Sequence, residues 1–131
     1  MKPNIILLLR TNNWLIKTLK DLLEAEGYNV IILEDSLALY FAVINKKLDI
    51  DIDVLITELM LTKMDGAELT KRLTAHPVSF PILITSFHTT EEQGKELEEQ
   101  GAFRYIHYPI DYNQLLDTVL EATAYSLDVK Y

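Results

Sequence analysis

The residues able to do chemistry in this chain lie at the ends of short apolar runs. Glu58 follows Val54-Leu55-Ile56 and opens the stretch Glu58-Leu59-Met60-Leu61-Thr62-Lys63-Met64-Asp65-Gly66. Arg10 and Thr11 follow Ile5 to Leu9, Ser86 closes Pro81-Ile82-Leu83-Ile84-Thr85-Ser86, and His107, Tyr108 and Pro109 follow Phe103 to Ile106. A carboxylate, a guanidinium, hydroxyls and a phenol can bind a charged group or pair with one another. They do not compose a hydrolytic set, because no Ser-His-Asp or Cys-His arrangement sits at corresponding places. His76 and His88 lack ligand partners at metal spacing. The four glycines, Gly27, Gly66, Gly94 and Gly101, are too far apart for a dinucleotide-binding G-x-G-x-x-G. Neither an enzyme nor a metal centre is expected.

The elements that must position these residues follow from the apolar pattern. Runs recur at Ile5–Leu9, Val30–Leu33, Val54–Ile56, Ile82–Ile84 and Phe103–Ile106. Most are continuous rather than alternating, as in parallel strands buried on both faces. Each gap is long enough for a crossover helix. In the first gap Leu15, Leu19 and Leu22 share a helical face opposite Lys17, Lys20, Asp21 and Glu24. Asn12 or Asn13 is the expected cap of that helix, and Gly27 its end. A second helix is expected over Ser36–Lys46, carrying Leu37, Tyr40, Phe41 and Ile44. A third spans Asp65–Ala75, with Leu69 and Leu73 inward and Pro77 beyond its end. A fourth begins at Thr89 or Thr90. Asp111, with Gln114 three residues on, reads as the capping box of a fifth, which buries Leu115, Leu116, Val119 and Leu120. Five strand–helix units in a row imply a doubly wound α/β fold whose sites form outside the carboxyl ends of the strands.

Composition narrows the class. The chain has 131 residues, about half of them apolar, enough for one domain with a real core. There is no cysteine, which points to a reducing compartment, and a cytoplasmic location is expected. No secretory signal is expected, and no apolar run approaches the ~20 residues that span a bilayer. The net charge of −8, without a basic stripe, opposes binding to nucleic acid or an anionic membrane.

The stretch from Glu58 to Gly66 resembles the phosphorylation loop of response-regulator receiver domains, whose pattern is D-x-M-x-P-x-M-D-G. Other segments resemble the same family at matching places: Ile5–Leu9 with Arg10-Thr11-Asn12, Leu22-Leu23-Glu24-Ala25-Glu26-Gly27-Tyr28, Pro81–Ser86, and Gly101-Ala102-Phe103-Arg104-Tyr105-Ile106-His107-Tyr108-Pro109. The resemblance covers nearly the whole chain. It implies a flavodoxin-like (βα)5 fold with a parallel five-stranded sheet in the order 2-1-3-4-5. A receiver-like domain is expected over residues 1–127, with 128–131 as a frayed tail or the start of a linker.

The resemblance also implies which residues stand where the family does its chemistry. In the family an Asp carboxylate attacks phosphorus, two further acids hold Mg²⁺, a Lys neutralises the added charge, and a hydroxyl binds a phosphate oxygen. Here the phosphoacceptor position holds Glu58, which is not expected to be phosphorylated. The acidic pair is replaced by Arg10 and Thr11, and the Lys by Tyr108. The hydroxyl survives as Ser86, and Pro109 survives, as the cis-proline typical of that turn. Phe87 stands where the family has a small residue. Arg10 and Glu58 sum to zero charge, whereas the family's site is near −2, so neither Mg²⁺ nor any other cofactor is expected. Pairing of the Arg10 guanidinium with Glu58, at roughly the Mg²⁺ position, is the expected arrangement. Glu58 as a built-in mimic of the phosphorylated state is the sharper reading. Drift after loss of phosphorylation is the plainer and favoured one, since Glu carries one charge and lacks the three acceptor oxygens of phosphate.

Tyr105 matches the aromatic that in the family rotates inward when the hydroxyl moves toward phosphate. With no phosphate to report, simple packing of Ser86 and Tyr105 is favoured. The fourth helix is unusual: its one large apolar residue is Leu97, five glutamates face Lys95, and Gly94 interrupts it. In the family, the face made by the fourth helix, fifth strand and fifth helix binds partners. That face is therefore expected to meet signalling proteins or form a weak homodimer. Trp14 is expected to cover the crevice or to pack at the start of the first helix. The expected function is that of a phosphorylation-independent receiver acting through protein–protein contact. One alternative is a receiver still switched, through a hydroxyl such as Thr57 or a small ligand in the altered pocket. A second is a flavodoxin-like binder of flavin or another small ligand, which the sequence Arg10-Thr11-Asn12-Asn13-Trp14 matches poorly as a phosphate loop.

Overall fold

The computed structural model describes residues 2–9, 14–76, 78–86 and 90–130, with the backbone alone at 14 and 128–130. Strands β1 (Asn4–Leu8), β2 (Asn29–Leu33), β3 (Val54–Glu58), β4 (Ile82–Ser86) and β5 (Arg104–His107) alternate with helices α1 (Trp14–Ala25), α2 (Ser36–Ile44), α3 (Gly66–Thr74), α4 (Glu91–Glu99) and α5 (Tyr112–Lys130). All strand pairings are parallel, and the sheet order is β2-β1-β3-β4-β5, as expected. The three central strands are buried on both faces, which is why their sequences are continuous apolar runs.

Two cores flank the sheet. Ile5, Leu7, Val54, Ile56, Leu83 and Ile106 pack with Leu15 and Leu19 of α1 and Leu115 and Val119 of α5. Ile6, Leu8, Leu55, Ile82 and Ile84 pack with Leu39, Leu69, Leu73 and Leu97 of α2, α3 and α4. Alternation along each strand sends successive side chains to opposite cores. Glu58, Thr85 and Tyr108 fall in phase with the α1/α5 side. Tyr105 packs against the other core.

Several expected details change. Leu120 is 63% exposed rather than buried, and the inward positions of α5 after Val119 are Ala122, Thr123 and Ser126. The periodicity of α5 reaches Leu120 only at the edge of its apolar stripe. Of the apolar residues expected on α2, Leu37 and Tyr40 pack against the core beside buried Ser36 and Leu39, and Phe41 is exposed. That helix stops at Ile44, two residues short of the expected Lys46. Asn45 caps it, Lys47 N–H bonds the Ala42 carbonyl at 2.9 Å, and Lys46 takes a left-handed φ of 55°. The end of α1 is as expected: Gly27 has φ 95°, and Tyr28 N–H reaches the Leu23 carbonyl at 3.2 Å. Asp111 Oδ1 accepts from Asn113 and Gln114 N–H groups at 3.0 and 3.2 Å. A fully reciprocal capping box joins Thr90 and Gln93 at the start of α4. Helix α5 runs to Lys130. The expected caps Asn12 and Asn13, and Pro77 and Thr89, lie outside the described residues.

Candidate functional site

Parallel strands bring their carboxyl ends to one edge of the sheet. Glu58 ends β3, Ser86 ends β4, and Tyr108 follows β5. Register places Glu58 beside Thr85 and Ser86 beside His107. Backbone bonds continue past the strands: Leu59 N–H donates to the Thr85 carbonyl and Tyr108 N–H to the Ser86 carbonyl, both at 2.9 Å. The Tyr108–Pro109 peptide bond is cis.

Tyr108 is 4% exposed, and its hydroxyl donates to Thr85 Oγ1 at 3.2 Å. Burial pushes its phenol above the ordinary range; the Thr85 bond opposes that shift, and the negative charge of Glu58 adds to it. A neutral phenol therefore stands where the resemblance implies a Lys. Thr57 is fully buried, and its hydroxyl donates to the Glu58 carbonyl at 3.0 Å. Ser86 is also buried. Glu58 itself is half-buried. Arg10, Thr11 and Phe87 lie outside the described residues, as does the expected Arg10–Glu58 pair; of Trp14 only the backbone is described.

The loop after Glu58 is held from three sides. Gly66 N–H bonds the Leu59 carbonyl at 2.8 Å, and a Cβ at position 66 would collide with the Glu58 carbonyl oxygen. Asp65 caps α3 by accepting from Glu68 N–H at 2.8 Å. Buried Ser36 donates to the Met64 carbonyl at 2.7 Å and accepts from the Met64 N–H at 3.1 Å. Lys63 pairs with Asp35 at 2.8 Å, and that bond, with the Ala38 N–H, lowers the Asp35 pKa. The Met64-Asp65-Gly66 sequence thus has a structural task apart from any chemistry at Glu58.

On the α4 side Tyr105 is half-buried, and its hydroxyl lies 2.9 Å from His107 Nδ1. Glu91, Gly94, Lys95, Glu98, Tyr105, Ile106, His107 and Gln114 line an open groove of about 530 Å³ between α4, β5 and α5. Thr85 and Ser36 were not among the expected site residues. A strand-interior threonine and a helix-start serine look ordinary in sequence, and their partners lie 23 and 28 residues away.

Among the described residues the donor set at the strand ends does not fit Mg²⁺. That ion needs several hard oxygen ligands in octahedral array. Glu58 is the lone carboxylate among the three side chains in phase at the strand ends, beside a threonine and a neutral phenol. By sequence Arg10 and Thr11 add no carboxylate. Among the described residues no three His, Cys, Asp or Glu side chains gather as a metal site.

A doubly wound parallel sheet with its site at the strand ends defines a flavodoxin-like α/β domain. Within that class, residues 6–120 match the model of the response regulator receiver domain, and the chain belongs to that family. It is a signalling module of two-component systems rather than an enzyme. Transcriptional regulatory protein GlrR of Escherichia coli is 28% identical over 99% of the chain, and transcriptional regulatory protein ZraR of Klebsiella oxytoca is 28% identical over 82%. The chain spans 29% and 24% of those two proteins, under a third of either. Among solved structures, the receiver domain of Francisella response regulator 1452 has a TM-score of 0.82 at 20% identity, covering 94% of this chain and 98% of that one. The receiver domain of sensor histidine kinase PA1611 from Pseudomonas aeruginosa, which holds a magnesium ion in its active site cleft, has a TM-score of 0.77 at 16% identity, covering 95% and 99%. No described helix is long and apolar enough to cross a membrane.

Proposed function

We propose that this receiver domain acts without phosphorylation, as a module that signals by binding other proteins. The observation that carries the reading is the Tyr108–Thr85 bond beside Glu58. A buried, neutral phenol cannot neutralise an added phosphoryl group as an ammonium would. Glu58 extends one methylene further than the Asp whose reach the attack on phosphorus requires. Thr57 is a poor substitute acceptor, since it is fully buried and its hydroxyl is bonded to backbone. The face of α4, β5 and α5 is the proposed contact surface for signalling partners or a second copy. Its open groove and acidic helix support that choice.

Incubation of the chain with Mg²⁺ and a small-molecule phosphodonor, followed by intact mass measurement, tests the proposal. The expected spectrum shows the unmodified mass alone. An acid-labile adduct of one phosphoryl group would overturn it.

A further inference from the structure

Gly94 stands in the middle of α4 and faces the ring of Tyr105. A Cβ there would collide with the ring's Cδ1 and lie 3.0 Å from both Cε1 and Cγ, so the ring would have to move. Glycine is the weakest helix former after proline, and this short acidic helix carries it at a central turn. The ring gains a close seat in return. Its far end is tied as well: the Tyr105 hydroxyl lies 2.9 Å from Nδ1 of His107, and the two rings sit 6.2 Å apart.

We infer that Gly94 and His107 form a seat and a tether that position Tyr105, so that the ring couples the packing of α4 to β5. Gly94 and Leu97 are the buried residues of α4, so the ring supplies much of what the helix rests on. Moving the ring from this seat would part it from both Gly94 and the His107 imidazole. Hydrophobic contact and the hydrogen bond then act together to keep the ring where it is. The inference concerns packing alone and stands whether or not Glu58 accepts a phosphoryl group.

The test uses Gly94→Ala in the wild-type chain and in a Tyr105→Ala background, with thermal midpoints compared. In the wild-type chain G94A should lower the midpoint, because the ring is displaced. With the ring removed, G94A should raise it, because alanine is the better helix former. Tyr105→Leu replaces Y105A if that variant fails to fold. Imidazole NMR supplies a second readout: the His107 signals should shift in G94A in the direction they shift in Tyr105→Phe. A midpoint change of the same sign in both backgrounds, or His107 signals unmoved by Y105F, would refute the inference.

Discussion

The hydroxyl of Tyr108, just past β5, donates to Oγ1 of Thr85 on β4, and both residues are buried at the edge where β3 ends in Glu58. Removing either hydroxyl breaks a buried hydrogen bond. Y108F and T85V should each lower stability by about 1 kcal/mol, and the double variant by less than the sum, as measured by urea unfolding. The phenol also makes stability depend on alkaline pH. Its folded pKa is raised, so the folded state holds the proton more tightly than the unfolded chain does. The contribution is complete below the ordinary tyrosine range and is lost as pH rises through the folded value. Stability above about pH 10 should therefore fall less steeply in Y108F than in the wild-type chain.

Ser36 clamps both polar backbone groups of Met64. Alanine at position 36 would leave a buried N–H and carbonyl without that partner. S36A should cost roughly 1–3 kcal/mol in urea unfolding. The Met64 amide should exchange with solvent faster, since the loop between Glu58 and Gly66 loses its tie to α2.

Gly66 sits where a side chain would meet the Glu58 carbonyl, with Leu59 Cα 3.1 Å away. These are backbone atoms and cannot swing aside as a side chain can. G66A should destabilise by about 1–3 kcal/mol, despite the better helix propensity of alanine. Equal or higher stability in chemical unfolding would show that the loop has room to move.

Lys46 ends α2 in a left-handed conformation with φ of 55°. A side chain there crowds the backbone by about 1 kcal/mol or more, whereas glycine adopts the same angles freely. K46G should raise stability by roughly 0.5–1 kcal/mol, after allowing for the greater freedom of glycine in the unfolded chain. A matched decrease in the urea midpoint would contradict this account of the cap.

The sequence determined the alternation of strands and helices through its apolar runs, and the strand order through its resemblance to the receiver family. Continuous apolar runs such as Val54–Ile56 and Ile82–Ile84, each followed by a helix-length gap, suit parallel strands buried on both faces, and both runs lie in such strands. Helix ends were legible where one residue carries the signal, as at Gly27 and Asp65. That Glu58 and Tyr108 stand where the resemblance implies an Asp and a Lys belongs to the proposed reading; their identities alone are read from the sequence. Tertiary structure decided what those residues touch. That Tyr108 turns its hydroxyl to Thr85, that Ser36 holds Met64, and that Gly94 seats Tyr105 depend on strand register and on helices packing from opposite sides. Such contacts join positions from 11 to 28 residues apart. Local periodicity carries no record of them, since a strand threonine or a mid-helix glycine reads alike with or without its partner. Leu120 illustrates the same limit: its type calls for burial, and only the angle at which α5 lies on the sheet turns it outward.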